Sequence, residues 1–204
     1  MISNPFGQLG EATASTVEKL LQDLQTEAQH QELLDVGYEL YDSPVGQLLL
    51  AATPVGLVKV GFEQTDHQST LQDLASKVSP RILKAPSLLD PVRKQLDEYF
   101  AGKRKNFEVA LDRRLSHGFR KLVVEQLSRI PYGQTQTYAQ IASTLENPKA
   151  VRAVGSACAT NPLPIIVPCH RVLRSDGSLG GYLGGLAAKT TLLDLESGTH
   201  DLFA

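Results

Sequence analysis

The sequence predicts an α/β chain of the α+β kind: an N-terminal part with a small antiparallel sheet and helices, then a mostly helical C-terminal part holding a helix-turn-helix. Three observations carry this. Between 37 and 62, short apolar runs are separated by Ser-Pro-Val-Gly and Thr-Pro-Val-Gly turns, the punctuation of a strand meander. From 117 onward the apolar period lengthens to that of helices. Two short helical stretches in that half, 135–145 and 147–161, meet at a tight turn.

In chain order, the first twelve residues, with Asn4-Pro5 and two glycines, read as a loose end. A short amphipathic helix follows, with Ser15 and Glu18 as a capping box and Val17, Leu20, Leu21, Leu24 and Ala28 at helical spacing. Such a helix needs a surface to dock on. After the meander, 68–78 and 87–101 are expected to be helical, the second stopping at Ala101-Gly102. The segment "KRKNFEVALDRR" reads as a charged connection around one more short strand. We expect an extension over 1–36, an N-terminal domain over 37–115 and a C-terminal domain over 116–204.

The C-terminal part opens on "HGFRKLVVEQLSRIPYG", with Phe119, Leu122, Val123, Leu127 and Ile130 on one face and a stop at Pro131-Tyr132-Gly133. In the next helix Thr137 and Gln140 form a capping box. In the one after it Asn147 is the expected cap and Pro148 the first helical residue. That helix is rich in small residues (Ala150, Ala153, Gly155, Ala157, Ala159) and carries Lys149 and Arg152. Small residues permit close approach to another surface and equally permit tight helix packing; spacing favours neither. A glycine-rich loop, "SDGSLGGYLGG", leads to a last helix that ends near Glu196.

Charge and cysteine content narrow the function. The net charge is −2, but it is uneven: residues 1–36 carry six acids against Lys19, whereas 118–176 carry seven bases against three acids. A local basic surplus suffices for contact with a polyanion, because charges beyond about 8–10 Å are screened. Two cysteines eleven residues apart make neither a disulfide framework nor a zinc knuckle. No apolar run reaches the roughly 18 residues of a membrane span, and no secretory signal opens the chain. The expected location is the cytoplasm.

Of the two cysteines, Cys158 lies mid-helix among alanines and reads as structural. Cys169, in "PIIVPCHRVLR", is different. Pro164 and Pro168 bracket the run before it, so regular hydrogen bonding breaks just ahead of the thiol. His170 offers a base, and Arg171 and Arg174 a positive potential that would favour thiolate. An adjacent Cys-His pair fits a protease, a thiol transferase or a redox sensor.

The stretch "IPYGQTQTYAQIA" followed by "NPKAVRAVGSACATNPLPIIVPCHRVLRSDGSLGGYLGG" resembles the O6-alkylguanine-DNA alkyltransferases, also called methylated-DNA–protein-cysteine methyltransferases. The resemblance runs from about Phe119 to Glu196; "YDSPVGQLLLAATPVGLVKVGF" is similar to that family's N-terminal domain. It implies a DNA repair protein that flips O6-alkylguanine out of duplex DNA and moves the alkyl group to its own Cys169, once per molecule and with neither cofactor nor metal. In that reading His170 relays the thiol proton, Glu196 holds His170, Asn161 braces the turn, and Tyr138 donates to the base and crowds its phosphate. Arg152 would fill the gap left by the flipped base, and Lys149, Ala150, Ala153, Arg120 and Ser175 would meet DNA. Val172, Tyr182, Leu183 and Gly184 would line the base pocket. The implied partner is double-stranded DNA carrying alkylated guanine, met by a monomer, with clustering on DNA left open and no membrane involved.

Departures from the family pattern are Leu183 where some members place a serine toward O6, Val124 where an aromatic is common, and no N-terminal zinc ligands. Without the resemblance, Glu196 would be a solvated helix-end carboxylate, Arg152 a surface arginine and Tyr138 a core tyrosine. The rival functions are a lesion sensor, which would lack the cysteine, a major-groove regulator, which would want long polar side chains on the second helix, and a cysteine hydrolase, for which no oxyanion site is evident.

Overall fold

The computed structural model describes residues 34–198 and, ahead of them, Thr16, Lys19, Leu20, Asp23 and Glu27. These five are helical, as the spacing predicts, and Leu20 is exposed. The capping pair Ser15 and Glu18, and the stripe residues Val17, Leu21, Leu24 and Ala28, lie outside the described residues.

The meander forms as three strands, β1 (Val36–Ser43), β2 (Gly46–Thr53) and β3 (Gly56–Phe62). Both connections are two-residue turns, since Ser43 pairs with Gly46 and Thr53 with Gly56. Helix α1 (His67–Lys77) follows, its first amide groups bonded to the Asp66 carboxylate. A strand not foreseen, β4 (Ile82–Lys84), then pairs parallel to β1, giving the sheet order β3-β2-β1-β4. Three residues carry no readable period; β4 exists because α1 supplies the crossover that parallel pairing needs. Helix α2 (Asp90–Phe100) completes this half.

Along β2 the side chains alternate, Leu48 and Leu50 into the main core and Leu49 and Ala51 into a second cluster with Val36, Val58 and Leu74. The main core runs without a break from that sheet face through Leu96, Tyr99 and Phe100 of α2 to Val123, Leu127, Ile141, Val154 and Leu192 of the helical half. Strand β3 is an edge, and its free amides are closed by chain from elsewhere. Leu57 N donates to Ala110 O at 2.9 Å, and Val60 N donates to Pro162 O at 2.8 Å, in the turn before Cys169. The strand expected within 103–114 reduces to a single bridge, Leu57 to Leu111, because that segment caps an edge instead of extending the sheet.

The helical half comprises α3 (Gly118–Leu127), α4 (Tyr138–Thr144), α5 (Val151–Ala159) and α6 (Gly185–Ser197). Two short strands, β5 (Gln136–Thr137) and β6 (Val172–Leu173), pair in parallel and pin the start of α4 beside the segment after Cys169. The Thr137–Gln140 capping box is present. Two expectations are corrected. Leu122 is 49% exposed: the buried stripe runs through Val123, Leu127 and Ile130, and Leu122 sits about 100° around the helix from Val123. Asn147 makes no side-chain cap; Pro148–Ala150 is a 3-10 turn and α5 proper starts at Val151.

Candidate active site

Cys169 sits where regular structure gives way. Pro168 leads into a 3-10 turn, Cys169–Arg171, that presents the thiol from a buried position. The preceding turn is held from inside by Asn161, whose Nδ2 donates to Val167 O at 2.9 Å while its Oδ1 accepts from Leu163 N at 3.1 Å. Within this turn Ile165 has φ +72°, a left-handed conformation that a β-branched residue adopts only at a cost of about 1–3 kcal/mol. The clamp made by Asn161 and the bond from Val60 to Pro162 over-determine the turn and hold that conformation.

Burial pushes the Cys169 thiol up to about 11, against a hydrogen bond from Asn161 and the nearby charge of Lys189, both of which pull it down. The expected support from Arg171 and Arg174 is absent. Arg174 is exposed, and Arg171 is spent elsewhere, donating from Nε and Nη2 to Glu196 at 2.7 and 2.8 Å and from Nη1 to Ile130 O. A cation committed to a carboxylate projects little field, so Cys169 rests as a neutral thiol. Alkylation of the Cys169 peptide by iodoacetamide is therefore expected to be slow at pH 7 and to climb toward pH 11; a thiolate-like rate at pH 7 would contradict this. Cys158 is also a buried free thiol with its pKa raised by burial, consistent with a structural part.

Glu196 is not a solvated helix end. Its carboxylate is buried and collects five donors: Tyr99 OH at 2.7 Å, His170 Nε2 at 2.8 Å, the two Arg171 nitrogens, and Gly133 N at 3.2 Å. Burial alone would raise its pKa; the bonds from His170 and Arg171 outweigh that and hold it at about 2. The Tyr132-Gly133 turn fits only because Gly133 lacks a Cβ, which at its φ of +72° would stand 2.9 Å from Glu196 O. His170 is fully buried, and burial lowers its pKa in spite of Glu196, so the ring is neutral at pH 7. With Nε2 as the donor to Glu196, Nδ1 is the lone-pair nitrogen, and it has no hydrogen-bond partner.

Two residues here are not among those expected from the sequence. Tyr99 comes from α2, 97 positions from Glu196, so no local pattern could join them. Lys189 looks like a surface helix lysine yet is fully buried, donating to Val172 O at 2.6 Å and reaching Gly180 O at 3.5 Å. Its one signal was its place on the α6 stripe with Leu192 and Glu196. It ties the segment after Cys169 to the glycine-rich loop. Tyr138 is half-buried beside that loop and would collide with any Cβ on Gly180. The Tyr182 ring lies edge-on to Phe62 at 5.5 Å and to His170 at 6.3 Å.

The other pocket and DNA candidates divide. Val172 is buried beneath the site, and Gly184 packs against Phe62, whose ring a Cβ would meet at 2.5 Å. Leu183 instead faces a cleft it shares with Asn161 and Arg120. Helix α5 packs Val154, Ala157 and Cys158 inward and leaves Arg152, Ala153 and Ser156 exposed. Lys149, Arg120 and Ser175 are exposed and Ala150 half-buried. Among the described residues no cluster of His, Cys, Asp or Glu is arranged to hold a metal ion.

Comparison with known proteins adds the family. Residues 36–113 match the model of the 6-O-methylguanine DNA methyltransferase ribonuclease-like domain, and residues 118–198 that of the same family's DNA-binding domain. A methylated-DNA–protein-cysteine methyltransferase of Methanosarcina acetivorans is 41% identical over 159 residues, covering 78% of this chain and 97% of its own length. The constitutive enzyme of that name from Bacillus subtilis is 38% identical over 163 residues, covering 78% and 94%. Among solved structures, Mycobacterium tuberculosis OGT in complex with DNA superposes with a TM-score of 0.70 at 36% identity, covering 82% of this chain and 99% of that one. With two matching domain models and relatives spanned almost end to end, the chain belongs to the methylated-DNA–protein-cysteine methyltransferase family.

Proposed function

We propose that this chain binds duplex DNA through the exposed side of α5, takes an O6-alkylated guanine into the space beside Cys169, and transfers the alkyl group to the cysteine sulfur. The observation that carries the reading is the state of His170: its Nε2 is committed to Glu196 while its buried Nδ1 has no partner, which leaves one uncommitted basic nitrogen on the residue next to a thiol that must lose a proton. In the transfer, Sγ bonds to the alkyl carbon as the carbon–O6 bond breaks. The electron pair stays with the base, and a hydrogen bond from Tyr138 steadies it. Burial raises the Tyr138 pKa, so the hydroxyl keeps its proton to donate. The proton taken from sulfur by His170 balances the one the released guanine gains. The thioether is stable, so each molecule acts once.

The small exposed residues of α5 fit a groove that bulky side chains would not enter, and Arg152 stands on that face to occupy the space of an extruded base. Lys149, Ala150, Ala153, Arg120 and Ser175 are the proposed companions, and Tyr182 and Val172 the proposed pocket wall. We divide the chain into 1–36, 37–115 and 116–204 on the same reading, and place its action in the cytoplasm. Among the described residues no helix is long and apolar enough to cross a membrane.

The test is intact and peptide mass after mixing the protein with a duplex holding one O6-methylguanine. One methylene unit on the Cys169 peptide, saturating at one per protein, is the expected result; binding without mass gain would point to a lesion sensor. Arg152→Ala is expected to slow transfer from duplex roughly ten- to a hundredfold, because extrusion costs a few kcal/mol. Transfer from free O6-methylguanine base should be unchanged, and an equal loss on both substrates would refute the role given to Arg152.

A further inference from the structure

On the side of α3 away from Arg120, a cleft of about 620 Å³ opens between the interdomain connection and the segment that follows α3. Its cations are Lys105, Arg113, Arg129 and Arg171, and no carboxylate is among the residues that line it. Arg171 is neutralised by Glu196, but the other three are not: among the described residues none of them stands within 4 Å of an acid. Of the acids nearby, Glu98 of α2 and Asp112 pair with Arg104 and Arg114 at 2.7 Å, and Glu108 stands 4.0 Å from Arg104. Lys105 lies over the Tyr132 ring at 5.7 Å, a ring that Arg171 also faces at 5.8 Å. Arg113 Nη1 is buried and has no hydrogen-bond partner. Three uncompensated cations around one concavity, one with an unmet buried donor, make a strongly attractive site for an anion.

From these we infer that the cleft is a second anion site, distinct from the α5 face, which binds a phosphate group through Arg113, Arg129 and Lys105. Asn106 and Ser128, also on its wall, supply neutral polar groups beside the cations. Helix α3 has ten residues and is about 15 Å long, which separates this cluster from Arg120 at the helix start. The phosphate is either a backbone phosphodiester of nucleic acid or a small soluble phosphate; both present the same tetrahedral oxyanion to the guanidinium groups. Because Arg171 forms the inner wall and grips Glu196, an occupant adds negative charge next to the group that holds His170.

The test uses the full chain, the double variant Arg113→Gln/Arg129→Gln, and the single variant Arg129→Glu, an exposed position that keeps the test alive should the double variant misfold. Amide chemical shifts are followed during titration with inorganic pyrophosphate at constant ionic strength, and separately with an unmodified duplex whose affinity is measured across salt concentrations. If the source is small and soluble, pyrophosphate shifts the amides of 105–107, 113 and 129, and binds about tenfold more weakly to the variants. If the source is nucleic acid, only the duplex shifts them, and the slope of log affinity against log salt falls by about 2 in the double variant and at least about 1 in Arg129→Glu. No shift at these residues with either probe, with an unchanged slope, overturns the inference. One-to-one alkyl transfer to Cys169 stays intact in both variants, so failure here is separate from failure of the proposed reaction.

Discussion

Cys169→Ala is expected to gain no alkyl group from O6-methylguanine duplex, where the unaltered chain gains one. The substitution removes the sulfur that accepts the group at that turn. The fold should survive. Losing a sulfur from a buried site leaves a void of about one atom, and core truncations of that size cost on the order of 1 kcal/mol. The bonds that shape the turn, Asn161 to Val167 and Val60 to Pro162, do not involve the thiol side chain. Affinity for alkylated duplex should therefore stay within a few fold while the yield of alkylated protein falls to zero. Label found on Cys158 in this variant would show that the second thiol can substitute, and would refute its structural assignment.

Glu196→Gln is expected to damage both stability and reaction. The carboxylate faces Arg171 with two oxygens, and removing its charge leaves a buried guanidinium without its counter-ion, a change that typically costs about 3–5 kcal/mol. Chemical denaturation should register the loss. Transfer should slow by roughly a hundredfold or more, the usual worth of a positioned proton acceptor, because nothing then stabilises His170 as it takes the thiol proton. A purely structural part for Glu196 would lower stability without moving the rate of the protein that remains folded, so the two readouts separate the cases. The pH dependence has a definite sign. The folded pKa of Glu196, about 2, lies below its ordinary value of 4.5, so its contribution is fully present above about pH 4.5 and is lost as pH falls toward 2. In the unaltered chain stability should decline across that acid window, and in Glu196→Gln this part of the decline should be missing.

The reaction centre and the scaffold differ in how far the sequence revealed them. Cys169, His170 and Asn161 fall within ten residues of one another, so their chemistry and the proline-bracketed turn were legible together. The strands β1 to β3 and the capping box at Thr137 were legible for the same reason: turn residues and caps act on their immediate neighbours. Leu122 lies off the buried face because a helical stripe has angular width, and only the packing partner selects which edge of it is buried. Asn147 is of a residue type that suits a cap, yet Pro148 starts a 3-10 turn there and the side chain makes no capping bond.

What the sequence determined by itself was the strand meander, the main helices and the presence of one activated-looking cysteine beside an imidazole and a DNA-compatible helix. The tertiary structure alone decided the electrostatics. It brings Tyr99 and Gly133 to Glu196, diverts Arg171 from the thiol to that carboxylate, and buries Lys189 under the glycine-rich loop. It also leaves Lys105, Arg113 and Arg129 around a shared cleft with no acid in its walls. The physical reason is range. Propensity and capping act over about four residues of chain, whereas ionisation depends on burial and on charges a few ångströms away, and the neighbours of Glu196 are 25 to 97 positions distant in sequence.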